Sequence, residues 1–110
     1  MRFVILLYGD EVAEAALPKE QLQEIVRQHG ALGTKLAADG KMINGEGLLP
    51  SETATTLRDG VVSDGPYAES REQLGGLYIV DCVDLDEALD IARQVPPSPG
   101  LVVEVRPAMS

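Results

Sequence analysis

The sequence predicts an α+β fold: a ferredoxin-like βαββαβ sandwich with an extra hairpin inserted between the second and third main strands. Apolar runs with strand character lie near both ends of the chain, and two segments with helical periodicity lie between strand-like segments. Elements in this order pack in layers around one core. The length of 110 residues fits a single domain, 1–110, with one modest core.

The first predicted strand and helix lie before residue 41. Phe3 to Tyr8 is continuously apolar and rich in branched and aromatic residues, which is typical of a strand covered on both faces. The Ala-rich segment Val12 to Leu17 predicts a short helical turn. A longer helix is predicted between Pro18 and Gly40, because apolar-stripe positions recur there at spacings of three and four. These positions are Leu22, Ile25, Val26, His29, Leu32 and Leu36.

Strand signals dominate the middle of the chain. Met42 to Leu49 and Thr53 to Leu57 predict strands, and Arg58-Asp59-Gly60 before Val61-Val62 predicts a hairpin turn. After a polar loop, Gly76 to Val83 predicts a further strand. The middle of the chain therefore supplies a main strand, the extra hairpin and another main strand.

A second helix and a closing strand complete the predicted sandwich. Asp84 is expected to cap the helix, and Glu87 to complete a capping box. Pro96 and Pro97 cannot continue a helix, so they end it. Leu101 to Arg106 predicts the last strand.

Two helices can cover only one face of the predicted sheet. The strand segments FVILLY, LYIV and LVVEV nevertheless offer apolar residues to both faces. A large apolar face left in water marks an interaction surface. The sequence therefore predicts a homodimer that pairs sheet to sheet.

Charge and composition exclude several classes of function. Eighteen acidic and nine basic residues give a net charge of −9, which repels phosphate backbones and predicts no direct nucleic-acid contact. No segment approaches the roughly 20 apolar residues of a membrane span. Asp10-Glu11 stands where a signal peptide would need small residues, and Cys82 alone forms no internal disulfide, so a reducing cytoplasm is predicted. One histidine and scattered carboxylates predict no metal or cofactor site.

His29 and Asp64 are the candidate catalytic pair. His29 is the only histidine, and it lies on an apolar stripe, either as a core residue bonded to a backbone carbonyl or as a general acid or base. A catalytic histidine needs a carboxylate to fix its tautomer, and Asp64 is the candidate because it stands at the mouth of a strand. The turn Asp64-Gly65-Pro66 also explains Asp64 as a turn former.

Five further side chains are candidate substrate-binding residues: Tyr8, Glu46, Tyr67, Glu69 and Arg71. Arg71 is expected either to pair with Glu46, Asp64 or Glu69 in a pocket wall, or to bind an anionic ligand with its planar guanidinium. The charged run after Tyr67 also fits a solvated face.

Several segments carry a resemblance to a known family. They are LLYGDE, the helix with His29, GEGLLPSETATTLRDG, VSDGPYAESREQLGGLYIVD and VEVRPAM, and they extend from Met1 to Met109. In these segments the chain resembles the YCII-related proteins, in the branch named for an Asp-Gly-Pro-Phe motif. Tyr67 stands where the motif has Phe.

The resemblance implies a ferredoxin-like fold that dimerises into an α/β barrel. It also implies that His29 and Asp64 correspond to a histidine and an aspartate for which enzymatic activity has been proposed. Some relatives are fused to sigma-factor domains of the extracytoplasmic-function type, which implies a link to transcription. The resemblance names no substrate.

Two functions are therefore expected. The first is a small-molecule enzyme with a His29–Asp64 acid/base dyad near the dimer interface, beneath a pocket rim formed by Asp64 to Glu72. The second is a non-catalytic ligand-binding or regulatory module that contacts a sigma factor or another protein through the same cleft. The acidity of the chain suits a basic protein surface.

Overall fold

Two antiparallel sheets and three α-helices form an α+β fold in a computed structural model of the chain, which describes residues 1–109. The elements are β1 Arg2–Asp10, α1 Glu11–Ala15, α2 Lys19–Ala38, β2 Met42–Gly47, a 3₁₀ turn Ser51–Thr53, β3 Thr55–Arg58, β4 Val61–Asp64, β5 Glu72–Asp81, α3 Leu85–Ala92 and β6 Val102–Pro107. Four strands form a sheet in the order β2-β5-β1-β6, and β3 pairs with β4. The strand order is consistent with the ferredoxin-like fold.

Local signals set the ends of the two longer helices. α2 follows Pro18 and ends before Gly40, which adopts a positive φ of 70° and so provides the left-handed residue that commonly ends a helix. At α3, the side chain of Asp84 accepts a hydrogen bond from the N–H of Glu87 at 2.9 Å, as predicted. The predicted reciprocal bond differs: the Glu87 carboxylate accepts from the N–H of Val83, one residue earlier.

The core lies between one face of the four-stranded sheet and the helices. Ile5 of β1 is opposite Tyr78 of β5, and Phe3 is opposite Val80, so these four side chains share a face. All four are buried. The helical residues of the same core cluster are Leu32, Leu36, Ala88 and Ile91.

The opposite face of the sheet carries the alternate residues of the same strands. Val4, Leu6, Leu77 and Ile79 lie there, each partly exposed. Among residues 1–109, the buried helical side chains belong to the cluster on the other face. The chain is correspondingly flat, with extents of 40 × 39 × 18 Å.

Several strand boundaries differ from those expected; β3, for example, begins at Thr55 rather than Thr53. β5 begins at Glu72 rather than Gly76, because its polar first residues continue the pairing with the end of β1, out to Asp10 opposite Glu72. β2 ends at Gly47 rather than Leu49. Within the part of the chain that the structure describes, no helix has the length and apolarity to cross a membrane.

Replacing the fully buried Ile5 by Ala should lower the free energy of unfolding by about 2–5 kcal/mol, because it removes apolar area and leaves a cavity. Ile43, which is 47% exposed on β2, provides the matched control, and Ile43→Ala should cost about 1 kcal/mol or less. Urea denaturation at one fixed protein concentration measures both. Equal losses for the two variants would contradict the placement of the core.

Candidate functional site

Three adjoining cavities run beneath α2, and together we call them the groove. The α1 cavity, with a volume of about 620 Å³, is lined by residues that include Glu11 and Glu14. The central cavity, of about 260 Å³, includes Glu14 and His29 in its lining, and the β2 cavity, of about 500 Å³, includes His29 and Glu46. Gly75 lines all three, so the cavities meet at this residue of β5.

The imidazole of His29 is held by a buried tyrosine. Its Nδ1 lies 2.6 Å from the hydroxyl oxygen of Tyr78, and the two rings stack with centroids 5.9 Å apart at an angle of 21°. Burial lowers the pKa of His29 below its ordinary value and raises that of Tyr78. The imidazole therefore favours its neutral form at neutral pH, and the phenol stays protonated.

Helix periodicity and sheet register together bring these two rings into contact. His29 lies one helical turn from Ile25 and Leu32, on the stripe of α2 that faces the sheet. Tyr78 lies on the helix-covered face of β5 because it is opposite the buried Ile5. Neither placement depends on a loop, because α2 carries His29 and β5 carries Tyr78.

A carboxylate that the sequence analysis did not single out lies at the other end of the central cavity. Glu14 projects from α1 over the backbone of β1, where a Cβ at Gly9 would overlap its Oε1 atom. Burial raises the pKa of Glu14, and the neighbouring charges of Glu11 and Asp10 raise it further. The Glu14 carboxylate accepts no hydrogen bond from residues 1–109, whereas Glu11 accepts two from Ser51 at 2.7 Å each.

Two of the predicted binding residues line the groove. Tyr8 lines the central cavity, and its hydroxyl donates a hydrogen bond to Glu104 at 3.2 Å. Glu46 lines the β2 cavity and is exposed. The structure thus places both beside cavities that His29 also lines.

The structure does not join Asp64 to His29. Asp64 is the exposed last residue of β4, opposite Thr55, and it lines none of the three cavities of the groove. The hydrogen bond expected between His29 and a carboxylate is instead made with Tyr78. The reason is that Asp64 belongs to the separate two-stranded sheet, whereas His29 faces the four-stranded one.

The loop after Asp64 borders a different cavity from the one expected. Pro66, Tyr67 and Ala68 line a fourth cavity of about 640 Å³, which we call the loop cavity, and Tyr8 also lines it. Tyr67 is 73% exposed, and the guanidinium of Arg58 lies 5.7 Å from the centre of its ring. The loop is therefore a rim of the loop cavity and not of the groove.

Arg71 pairs with a carboxylate that was not among its expected partners. Its Nε donates to Oδ2 of Asp10 at 2.9 Å, and the other oxygen of Asp10 accepts from the N–H of Ala13 at 3.1 Å, which caps α1. The Ala13 N–H and then Arg71 hold the pKa of Asp10 below its usual value. Glu69 is exposed and lines none of the four cavities.

No group of three or more His, Cys, Asp or Glu side chains within residues 1–109 has the arrangement of a metal site. The polar side chains that line the central cavity are Tyr8, Glu14, His29 and Ser98. The arrangement can therefore orient a small molecule and exchange protons with it through its own side chains.

Comparisons with known proteins place the whole chain in one family. The model of the YCII-related domain matches residues 1–109. The chain is also 41% identical, over 114 residues, to an uncharacterized protein of Rhizobium meliloti (strain 1021), with 97% of this chain and 91% of that protein covered. The similarity therefore includes the elements that carry His29, Glu14 and Tyr78.

Asp10→Asn should make the free energy of unfolding less dependent on pH in the acidic range. The variant keeps an oxygen that accepts from Ala13 but loses the charge facing Arg71. Because the pKa of Asp10 is lowered by folding from about 3.8, the charged carboxylate stabilises the fold above that pH, and this stabilisation disappears as the pH falls through the lower folded value. Wild type should thus be more stable than the variant above about pH 4, and the difference should close in acid.

Urea denaturation across that range measures the difference between the two proteins. Asp59→Asn is the matched control, because Asp59 lies exposed in the β3–β4 turn, where Asn also tolerates its positive φ of 52°. The free energy of unfolding of Asp59→Asn should vary with pH in the same way as that of wild type. A wild-type advantage over Asp10→Asn that grows on acidification would contradict the role of the ion pair.

Proposed function

The chain belongs to the YCII-related domain family, and we propose that it is a small-molecule enzyme that transfers a proton in the groove, with His29 and Glu14 as its titratable groups. The observation that supports the proposal is their shared place in the central cavity. Burial raises the pKa of Glu14 toward neutrality, and it lowers the pKa of His29, which keeps the imidazole in its neutral form at neutral pH. General acid–base catalysis works best with pKa values near the working pH.

The remaining lining of the central cavity suits this chemistry. Most of it is apolar, including Leu7, Leu22 and Ile25, and apolar walls strengthen the electrostatic interactions of the few polar groups between them. Tyr78 acts as a positioning residue, since its hydroxyl fixes the orientation of the imidazole. Asp64 has no part in the proposed proton transfer within one chain.

A ligand-binding module without catalysis is the second candidate. It is favoured by the absence, among residues 1–109, of a carboxylate bonded to His29, because such a carboxylate stabilises the imidazolium in many acid–base sites. In this second candidate function, the groove binds a small molecule and the protein senses that molecule without converting it. The link to sigma-factor-dependent transcription stays a prediction of the family resemblance.

We further propose that two copies pair through the helix-free faces of their sheets to form a dimeric α/β barrel, with β3 and β4 as an inserted hairpin. The apolar side chains of Val4, Leu6, Leu77 and Ile79 on that face support the pairing. A second copy supplies an identical apolar face, which is how a twofold interface is built. Burying this face would complete the second side of the sheet.

Proton transfer is tested by hydrogen–deuterium exchange at the carbon next to the carbonyl of a panel of ketones, esters and amides in deuterated water, followed by NMR. Wild type should catalyse exchange on at least one compound. His29→Ala and Glu14→Gln should each slow it by about 10²–10⁴-fold, the usual contribution of a general acid or base. Asp64→Asn is the matched control and should exchange at the wild-type rate.

The outcomes separate the two candidate functions. If compounds bind the groove but none exchanges above the buffer rate, the protein is a binding module. If Asp64→Asn loses exchange and Glu14→Gln keeps it, the proposed pair of groups is wrong. Circular dichroism of each variant confirms that it is folded.

Leu6→Lys should convert the proposed dimer to a monomer. A charge at the centre of a buried apolar interface is costly to desolvate, and two copies of it would face each other across the twofold axis. Leu57→Lys is the control, since Leu57 is 69% exposed on the separate hairpin. Light scattering at micromolar concentration measures the mass, and a monomeric wild type would refute the dimer.

A further inference from the structure

The hydroxyl of Tyr78 selects the tautomer of His29. A phenol carries one hydrogen to donate, and the only hydrogen-bond partner of Tyr78's hydroxyl within residues 1–109 is Nδ1 of His29, at 2.6 Å. If Nδ1 carried the proton, the phenol hydrogen of this buried residue would lose that acceptor, and an unsatisfied buried donor is unfavourable. This favours the arrangement in which the hydroxyl donates to Nδ1 and the ring proton of neutral His29 lies on Nε2.

The Nε2 atom is accessible from the groove. Every fully buried side-chain nitrogen and oxygen within residues 1–109 has a hydrogen-bond partner. Nε2 of His29 has none, so it is not fully buried. The ring lines both the central and the β2 cavities, and its free N–H is therefore available to a molecule bound there.

The charges of the groove disfavour an anionic ligand. Four glutamates line its cavities, and none of the residues that line them is a lysine or arginine. These glutamates are Glu11, Glu14, Glu46 and Glu52. A carboxylate or phosphate would meet repulsion without a partner of opposite charge, and the net charge of −9 adds to that repulsion.

A cation is disfavoured beside Nε2 of His29 for a different reason. The polar atom that His29 presents there is a donor, and an ammonium group also only donates. Glu11, at the end of the groove, already accepts two hydrogen bonds from Ser51, whereas the Glu14 carboxylate in the central cavity would attract a cation, so an amine is the alternative that the ligand test must exclude. An oxygen acceptor on an uncharged molecule satisfies Nε2–H without placing a charge among apolar walls.

We infer that the groove takes an uncharged, largely apolar molecule and holds it by a carbonyl oxygen that accepts a hydrogen bond from Nε2–H of His29. This inference rests on the proposed small-molecule site and gives the proton transfer a direction. His29 polarises the carbonyl from the oxygen side, and the Glu14 carboxylate accepts the proton released from the neighbouring carbon. The product is the enol or enolate, and no oxidant or reductant is required.

The tautomer is tested without any ligand by nitrogen-15 NMR of the histidine ring, above the pH at which His29 loses its charge. Nε2 should show the shift of a protonated ring nitrogen, and Nδ1 that of an unprotonated one. Tyr78→Phe should reduce this preference, because it removes the donor to Nδ1 while keeping the ring. Protonation on Nδ1 in wild type would overturn the inference and leave the small-molecule site intact.

The ligand class is tested with four probes of one skeleton: cyclohexanecarboxamide, cyclohexanecarboxylate, cyclohexylmethylamine and methylcyclohexane. Chemical-shift changes at groove residues give each dissociation constant. The amide should bind about tenfold more tightly than the other three, which corresponds to one hydrogen bond to a buried donor. His29→Phe keeps a ring but no N–H, and it should reduce the amide to the level of methylcyclohexane without weakening the hydrocarbon.

Each other result has a distinct meaning. Tighter binding of the carboxylate or the amine overturns the inferred ligand class while supporting the groove as a binding site. Failure of all four probes to perturb groove residues overturns the small-molecule site and the inference with it. Gly75→Val provides a steric control. A Cβ at this position meets only the carbonyl oxygen of Leu7, at 3.9 Å, so the backbone leaves room for it. The valine side chain would then fill the point where the three cavities meet.

Discussion

The antiparallel pairing of β1 with β5 is the constraint on which the candidate site depends. Ile5 opposite Tyr78 directs the phenol to the helix-covered face, where it meets His29. The register then shifts, because Leu7 is opposite Gly76 and Tyr8 is opposite Leu74. Gly75 of β5 is therefore left without a partner on β1. That residue lines all three cavities of the groove, as expected for a bulge that bends a strand next to a site.

Gly76 and Gly9, near the bulge, are each explained by a different close contact. A Cβ at Gly76 would lie 3.0 Å from the carbonyl oxygen of Glu46, so glycine permits the close approach of β2. Gly9 leaves room for the carboxylate of Glu14. Asp10 then joins three elements, because it ends β1, caps α1 and binds Arg71, which precedes β5. The Asp10 carboxylate therefore helps to hold α1, and with it Glu14, in position relative to the sheet.

Sequence patterns predicted the elements well where the signal is local. The apolar run of β1, the three-and-four spacing of α2 and the Asp84 cap of α3 are short-range features, and the structure contains each of them. Contacts across the sheet depend on the pairing register of the strands, which the local sequence pattern does not determine. Tyr78 falls within the strand predicted from Gly76 to Val83, and only its position opposite Ile5 shows that it faces His29. Glu14 was missed because its segment resembled an ordinary Ala-rich turn.

The polarity of the groove follows from how the chain distributes its charges. Several cations bind carboxylates away from the groove: Arg71 binds Asp10, Lys41 binds Glu87 at 2.8 Å, and Arg93 binds Asp90 at 2.7 Å. The groove keeps carboxylates and one neutral imidazole between apolar walls. Apolar walls strengthen the hydrogen bond of a neutral N–H donor, because the local dielectric constant is lower than that of water. A half-buried histidine with one nitrogen satisfied by a tyrosine therefore favours recognition of an uncharged oxygen over charge pairing.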